Sequence, residues 1–119
     1  MLTSCEVNKS VQPVYAPREV VELERWRVKS EGVTLGRVAK FEIRDPAGPI
    51  QFFRITDRAG RWLGHATAKG RFSRRVPFET EEQDLGVLAM KSGVAQLFDV
   101  QAPVEIELIP IQVNGQKRQ

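Results

Sequence analysis

The segment at residues 50–78 constrains the fold more than any other part of the chain. Short runs rich in β-branched and aromatic residues alternate there with turn signals, which is the pattern of consecutive antiparallel strands. A turn at residues 57–60 begins with Asp and ends with Gly, which suits a type I turn closed by a glycine bulge. A second turn is predicted at Lys69 and Gly70. The segment is therefore predicted to form three strands joined by tight turns.

The turn at residues 57–60 also predicts how its two flanking strands pair. Counting outward from it places Ile55 opposite Leu63 and Phe53 opposite His65, on one face of the hairpin. The opposite face receives Ile50, Phe52, Trp62, Ala66 and Ala68. Because both faces contain large apolar side chains, the sheet is expected to be covered on both sides, by the rest of the fold, a helix or a partner protein.

Two further strands are predicted before this segment, at residues 20–30 and 33–44. A helix-like spacing also runs through the first, but its β-branched residues favour a strand. The second alternates with period two, and a bulge is expected beside Gly36. Its buried face is expected to hold Val33, Leu35, Ala39, Phe41 and Ile43. A turn rich in Pro and Gly follows at residues 45–49.

The segment at residues 80–98 has two interpretations that the residues leave open. In one, a capping box of Thr80 and Gln83 starts a continuous amphipathic helix. In the other, residues 85–90 form a short strand or loop, and Ser92 caps a shorter helix. Both interpretations place a helix over Val94, Leu97 and Phe98.

The end of the segment at residues 71–78 and the C-terminal part of the chain complete the predicted fold. Phe72, Val76 and Phe78 are expected to share one strand face with Arg74. A last strand is predicted to turn Val104, Ile106 and Leu108 inward. Because local hairpins dominate, the predicted class is α+β, mainly β. It is expected to be a small antiparallel barrel or sandwich of about six strands with one helix packed on it.

Composition limits the organisation of the chain to one domain. The protein has 119 residues, a net charge of +3 and 41% hydrophobic residues, which is ordinary for a globular domain. No apolar run reaches the length of about 18 residues that a membrane-spanning helix needs. The domain is expected at residues 18–112, between a flexible tether at residues 1–17 and a disordered tail at residues 113–119.

The single cysteine, Cys5, excludes an internal disulfide and a cysteine-cluster metal site. The tetrapeptide Leu-Thr-Ser-Cys at residues 2–5 resembles the lipobox of bacterial lipoproteins, whose cysteine is lipidated. Such a signal also requires a charged start and an apolar segment, and only Met1 precedes the match. Two interpretations stay open. Cys5 is either a lipid anchor that places the protein in the cell envelope, or a free thiol in a cytoplasmic protein.

Catalysis has little support in the sequence. His65 is the only histidine, and no nucleophile or acid is placed beside it by sequence, so it is expected to be a half-buried structural residue next to Phe53. The acidic residues between positions 79 and 84 suit a helix start, and their spacing differs from a calcium-binding loop. The protein is therefore expected to be non-enzymatic, with no metal, cofactor or small-molecule substrate.

Basic residues are concentrated between positions 54 and 75, where seven of them accompany one acid. Basic strands with exposed aromatic rings suit an acidic protein, a phospholipid head group or single-stranded nucleic acid. The simpler interpretation is a solvated face whose arginine stems cover apolar surface. The residues expected to form a binding surface are Arg58, Arg61, Trp62, Arg71, Arg74 and Arg75.

Two functional hypotheses follow from this basic surface. The first is a non-enzymatic β-rich binding or structural module that uses it for a protein partner or for self-association, anchored to a bacterial envelope if Cys5 is lipidated. The second is a cytoplasmic small-barrel protein that binds nucleic acid through the same residues. A homodimer is expected if the Trp62 face is apolar and no helix covers it.

Overall fold

The computed structural model describes residues 19–76 and 78–113. They form seven strands: β1 (Glu19–Ser30), β2 (Val33–Arg44), β3 (Ile50–Asp57), β4 (Trp62–Thr67), β5 (Arg71–Arg74), β6 (Gln83–Val87) and β7 (Ile106–Ile111). One α-helix, α1 (Met90–Leu97), and a 3-10 turn (Pro103–Glu105) separate β6 from β7. All neighbouring strands are antiparallel in a single sheet of order β6-β5-β4-β3-β2-β1-β7. The predicted class, a small and mainly β fold with one helix, is confirmed.

The hairpin turns form where the sequence predicted them. The amide of Gly48 donates to the carbonyl of Asp45, and the amide of Gly60 donates to that of Asp57, at 2.8 and 2.9 Å. The amide of Gly70 donates to the carbonyl of Thr67 at 3.0 Å. These bonds close the loops after β2, β3 and β4. Each strand therefore pairs with the next one along the chain, from β1 to β6.

One face of the sheet, termed the covered face, packs against α1. Buried side chains of the sheet meet those of the helix there, and this core consists of Val28, Val38, Ile55, Ala66, Phe72, Val94, Ala95, Leu97 and Ile106. The helix approaches closely because Gly93 has no side chain, and a Cβ at that position would overlap the Phe72 ring. The position of α1 therefore leaves the opposite side of the sheet, termed the open face, without a helix in the described part of the chain.

Cross-strand register assigns residues to the two faces, because directly paired residues point to the same side. One row of the covered face runs Trp26, Val38, Ile55 and Gly64. A neighbouring row of the open face runs Arg25, Ala39, Arg54, His65 and Ser73.

Three strands contain a β-bulge at the same dipeptide, Leu-Gly. The extra residue is the leucine in every case, and the three pairs are Leu35–Gly36, Leu63–Gly64 and Leu85–Gly86. All three leucines pack against the core. A Cβ on Gly36 or Gly64 would collide with a carbonyl of the neighbouring strand, and Gly86 has a positive φ of 87°. Glycine is therefore required for the close approach or the backbone conformation at each bulge.

The bulge at Leu63 makes the predicted register of the β3–β4 hairpin wrong by one residue. The structure pairs Ile55 with Gly64 and Arg54 with His65. Since one extra residue reverses the face of every residue beyond it, His65 lies on the open face and not beside Phe53. Ala66, expected on the same face as Trp62, is instead fully buried on the covered face.

The prediction of which side chains of β2 are buried is also wrong beyond the bulge in that strand. Leu35 does pack against the core, and the bulge beside Gly36 is confirmed. Past that point the core residue is Val38, while Phe41 pairs with Phe52 on the open face. Val33, at the start of the strand, is exposed.

The segment at residues 80–98 follows the split interpretation. It contains the edge strand β6 and then α1, so the continuous helix and its capping box at Thr80 are wrong. The cap predicted at Ser92 is wrong too, because the helix begins after Ala89, whose side chain makes no capping bond. The helix does bury Val94 and Leu97, and Phe98 follows as its last cap residue.

Three predicted positions near the strand ends are corrected. The strand β5 ends at Arg74, so Phe78 does not share its buried face and is fully exposed. Val104 belongs to the 3-10 turn and is exposed, whereas Ile106 is buried as expected. Val113, the first residue of the expected tail, is only 7% exposed. Residues 1–18, 77 and 114–119, including Cys5, lie outside the described residues.

Candidate binding surface on the open face

A row of guanidinium groups and aromatic rings crosses the open face, with Arg54 at its centre. The Arg54 guanidinium lies 5.4 Å from the centre of the Phe41 ring on β2 and 5.1 Å from the Trp62 ring on β4. The guanidinium of Arg75, just after β5, lies 4.9 Å from the same Trp62 ring. We term Phe41, Arg54, Trp62 and Arg75 the cation–aromatic row. It joins residues from four neighbouring parts of the sheet.

Trp62 is held in place by its own strand. Its indole Nε1–H donates to the carbonyl of Gly64 at 2.9 Å, which occupies the only hydrogen-bond donor of the side chain. The residue remains 36% exposed. A partner therefore meets the π-face or the edge of this ring and not a free donor.

The row is extended at its β2–β3 end by a second ring. Phe41 and Phe52 stack with centroids 5.4 Å apart and an angle of 22° between planes. They are direct cross-strand partners, so the stack is fixed by the register of β2 and β3. The open face therefore combines packed aromatic rings with cations that lie over them.

A second feature, the arginine groove, adjoins this row at the end of the sheet. It has a volume of about 510 Å³ and is lined by Arg25, Arg27, Thr34, Gly36, Arg37, Arg58 and Ile111. Arg25 is committed to Glu22, with two hydrogen bonds of 2.7 Å. Those bonds raise the pKa of the Arg25 guanidinium above its ordinary value. The other three arginines have no acidic partner within the described part of the chain.

Two of these groove arginines stand directly opposite each other. Arg27 on β1 pairs with Arg37 on β2, and both side chains are exposed. Like charges at directly paired positions destabilise a sheet by a few tenths of a kcal/mol to about 1 kcal/mol. An anion bound between them would remove that repulsion.

A third feature, the aromatic hollow, lies beside Trp62 at the other side of the row. It has a volume of about 730 Å³ and is lined by Asp57, Arg61, Trp62, Leu63, Arg75 and Phe78. Phe78 is fully exposed and has a φ of 65°, a conformation that is uncommon for a bulky residue. The lining of the hollow thus includes two aromatic residues, Trp62 and Phe78, and one cation of the row, Arg75.

The six residues predicted to form the binding surface are not brought together as one patch. Trp62 and Arg75 meet in the row, and Arg58 lines the groove. The remaining three are committed to partners within the protein: Arg61 to Asp57 at 2.8 Å, Arg71 to Asp84 at 2.8 Å, and Arg74 to the carbonyl of Gln96 at 2.6 Å.

The two acids in these pairs are held ionised. The backbone amide of Arg61 donates to Asp57, and with the Arg61 side chain and the Ala59 amide it lowers the pKa of that carboxyl. The pKa of Asp84 is lowered by the amide of Gly86 and by the guanidinium of Arg71. The Asp57 carboxylate therefore stabilises the turn after β3, and the Asp84 carboxylate stabilises the bulge in β6.

His65 lies beside the row. Its ring centre is 6.3 Å from that of Trp62. Its Nδ1 is buried without a hydrogen bond and lies 3.5 Å from a carboxylate oxygen of Glu82. Ser73 is its direct cross-strand partner, and no hydrogen bond joins the two side chains within the described residues.

Residues that sequence reasoning missed carry much of this surface. Arg27 and Arg37 lie outside the basic segment at residues 54–75, and Arg54 lies inside it but is not one of the six predicted surface residues. Cross-strand pairing brings all three to one face, which a count of charges along the chain does not show. Phe78 was predicted to share a strand face with Phe72 because the end of β5 at Arg74 was not predicted.

The described residues contain neither a metal-binding cluster nor a membrane-spanning helix. No group of three or more His, Cys, Asp or Glu side chains in residues 19–76 and 78–113 is placed to hold a metal ion. No helix within the same ranges is long and apolar enough to cross a membrane. Comparison with protein-family models, with curated proteins and with solved structures found no match for this chain.

Proposed function

We propose that this protein is a non-enzymatic binding module whose open face holds an acidic partner. The observation that carries the proposal is the group of arginines without acidic partners in the described chain: Arg27, Arg37, Arg54, Arg58 and Arg75. Two of them lie over Trp62, and two others stand opposite each other on paired strands. Repulsion of this kind costs stability, and an anionic partner would offset it.

The distribution of acids supports the same proposal. On or near this face, Glu22 bonds Arg25, and Asp84 bonds Arg71. Asp57, at the border of the aromatic hollow, bonds Arg61. Because these carboxylates are committed, they do not neutralise the cations of the row or the groove. The surface therefore keeps a local positive charge that exceeds what the net charge of +3 suggests.

An acidic partner suits this surface better than a second copy of the chain. No helix of the described residues covers the Trp62 face, which was the condition for the expected homodimer. That face is cationic, however, so two copies meeting through it would bring Arg54 and Arg75 against like charges. A lipid anchor at Cys5 concerns where the protein resides, and the binding proposal depends only on residues 19–113.

The proposal is tested by fluorescence anisotropy with two labelled anionic polymers, poly-L-glutamate and an oligothymidylate of about 15 nucleotides. Binding of at least one polymer is expected, with an affinity that falls steeply between about 50 and 200 mM NaCl. Arg54→Gln should weaken binding about tenfold or more, since a hydrogen bond to a charged group contributes about 1.5–3 kcal/mol.

Lys91→Gln provides the matched control. Lys91 is exposed on α1, which packs on the covered face, so this variant removes one positive charge away from the open face. It should change the affinity less than about threefold. Failure of both polymers to bind at low salt, or equal losses in the two variants, would refute the proposed function.

A further inference from the structure

We infer that the acidic partner is a single-stranded nucleic acid. Its bases stack in the aromatic hollow beside Trp62, and its phosphates lie in the arginine groove. This inference rests on the proposed function and names the class of partner. It depends on two independent features of the open face: exposed aromatic rings that border a hollow, and unpaired guanidinium groups that share a groove.

The aromatic hollow has the properties of a stacking site. Trp62 and Phe78 both border it, and Phe78 is fully exposed. The indole N–H of Trp62 is used by Gly64, so a base that stacks here meets the ring and the guanidinium groups over it, without base-specific hydrogen bonding to the indole. Stacking on such a surface tolerates any base and contributes about 1–3 kcal/mol per base. The guanidinium of Arg75, already over the Trp62 ring, adds a planar cation at the same border.

The arginine groove has the properties of a phosphate site. Arg27, Arg37 and Arg58 line it without acidic partners in the described chain, and Thr34 adds a hydroxyl group. A guanidinium presents a planar fork of donors that matches two phosphate oxygens at once. An anion held by Arg27 and Arg37 also relieves the repulsion between these paired residues. Successive phosphates of one strand can each bind a different arginine of the groove, whereas a single carboxylate binds one guanidinium group.

The register places the two features at a separation that suits one strand of nucleic acid. Arg37 pairs with Thr56, and Thr56 pairs with Trp62, so two strand spacings separate the groove from the ring. Two spacings amount to about 10 Å, which a phosphate and a nearby base of the same strand can span. Arg54 lies between them on the same face, over the Trp62 ring.

Other acidic partners account for fewer of these observations. A duplex keeps its bases stacked inside, so it would leave Trp62 and Phe78 without a partner. A peptide of Asp and Glu would pair with the arginines, but its side chains provide no aromatic ring for the hollow. A lipid surface would take up the projecting Phe78 ring, but Trp62 is 36% exposed and bonded back to its own strand, so this partner accounts for only one of the two rings. Among these macromolecular partners, single-stranded nucleic acid is the one that supplies a chain of phosphates and free planar bases together.

The deciding experiment compares two oligonucleotides that differ only in their bases. The full-length protein is titrated against labelled oligothymidylate of about 15 nucleotides and against the abasic oligomer with the same phosphates. Oligothymidylate should bind at least fivefold more tightly than the abasic oligomer. Trp62→Leu should lower the affinity for oligothymidylate by about 5- to 150-fold and leave the abasic affinity nearly unchanged. Trp62→Phe retains a ring and should restore most of the loss.

The groove is tested by the salt dependence of the same binding. Arg37→Gln should lower the slope of log affinity against log salt by about 0.7, the value for one phosphate contact to a single strand. Lys91→Gln, on the helix, should leave that slope unchanged. If circular dichroism shows that Trp62→Leu does not fold, base stacking is tested by the unmodified protein alone, through its affinities for the two oligomers.

The outcomes separate this inference from the proposed function. Equal affinity for the two oligomers overturns base stacking, and with it the inference. Binding of poly-L-glutamate without binding of oligothymidylate overturns the inference but keeps the proposed function. Absence of binding to every anionic probe overturns both.

Discussion

The guanidinium of Arg54 lies 5.1 Å from the centre of the Trp62 ring, and this contact links two neighbouring strands across the open face. The same guanidinium lies 5.4 Å from Phe41 on the strand at its other side. One exposed cation therefore organises aromatic residues from both neighbours of β3. The arrangement makes Arg54 a structural element of the surface as well as a candidate binding residue.

A double-mutant cycle should detect the coupling between Arg54 and Trp62. Arg54→Gln removes the cation and Trp62→Leu removes the ring, and we expect a coupling free energy of about 0.5–1 kcal/mol, the range for an exposed cation–π pair. Urea unfolding of the two single variants and the double variant measures it.

The control is a cycle between Trp62→Leu and Lys91→Gln. Lys91 lies on α1, so its coupling to Trp62 should stay within the error of additivity, about 0.3–0.5 kcal/mol. Equal coupling energies in the two cycles would contradict a specific contact between Arg54 and Trp62.

The Leu-Gly bulges predict an order of destabilisation among glycine substitutions. A Cβ at Gly64 would collide with the carbonyl of Ser73 and lie 3.0 Å from Leu97, so Gly64→Ala should destabilise the fold by about 3 kcal/mol or more. Gly86 has open space but a positive φ of 87°, so Gly86→Ala should cost only about 1–2 kcal/mol. Urea unfolding monitored by circular dichroism gives both values.

Gly64→Ala should also perturb α1, because Leu97 is the helix residue next to the new methyl group. Amide hydrogen exchange of the helix should therefore speed up in that variant and not in Gly86→Ala, when the two are compared under conditions of equal global stability. A larger loss of stability for Gly86→Ala than for Gly64→Ala would show that close approach is not what requires glycine in β4.

The bulges also explain which parts of the fold were predictable from sequence. Turns were predicted correctly because Asp, Pro and Gly act locally through their own backbone preferences. Strand existence was predictable from composition and alternation. The face on which each side chain lies was not predictable, since the extra residue Leu63 reverses the alternation within β4 and places His65 on the same face as Trp62. The threefold recurrence of Leu-Gly was a signal in the sequence that could have indicated this.

The candidate surface was only partly predictable for a related reason. Arg58, Trp62 and Arg75 were selected because they lie within a basic segment, and they do reach the row or the groove. Arg27 and Arg37 lie far from that segment along the chain and meet it through strand pairing. Conversely, Arg61 and Arg71 were selected, but local acids already bind them.

The turn after β3 predicts a component of acid sensitivity. The pKa of Asp57 is lowered in the folded protein, so its contribution to stability is complete above the ordinary value of 3.8 and is lost as the pH falls through the lowered value. Asp57→Asn keeps an oxygen that can accept from the Ala59 amide but lacks the charge. The free energy of unfolding should therefore fall less in this variant than in the unmodified protein between about pH 6 and pH 3.

Asp45→Asn serves as the comparison, because Asp45 accepts from the amide of Ala47 in a similar turn. Urea titrations at the two pH values measure the change for each protein. An unchanged pH dependence in Asp57→Asn would show that the hydrogen bonds and the Arg61 pair do not favour the ionised carboxylate of Asp57 enough to affect folding.

Because Arg27 and Arg37 stand opposite each other, we predict that replacing one of them raises stability and weakens the binding of anions. Arg37→Gln removes one of two like charges at directly paired positions, so it should stabilise the fold by about 0.2–1 kcal/mol at low salt. The gain should disappear near 1 M NaCl, where the screening length is about 3 Å. Arg44→Gln instead breaks the pair between Arg44 and Glu42, so it should leave stability unchanged or lower it by up to about 1 kcal/mol. A contradicting result would be an Arg37→Gln variant that is more stable and still binds anionic polymers as tightly as the unmodified protein. The repulsion between Arg27 and Arg37 would then not be relieved by binding, and the arginine groove would not be the anion site.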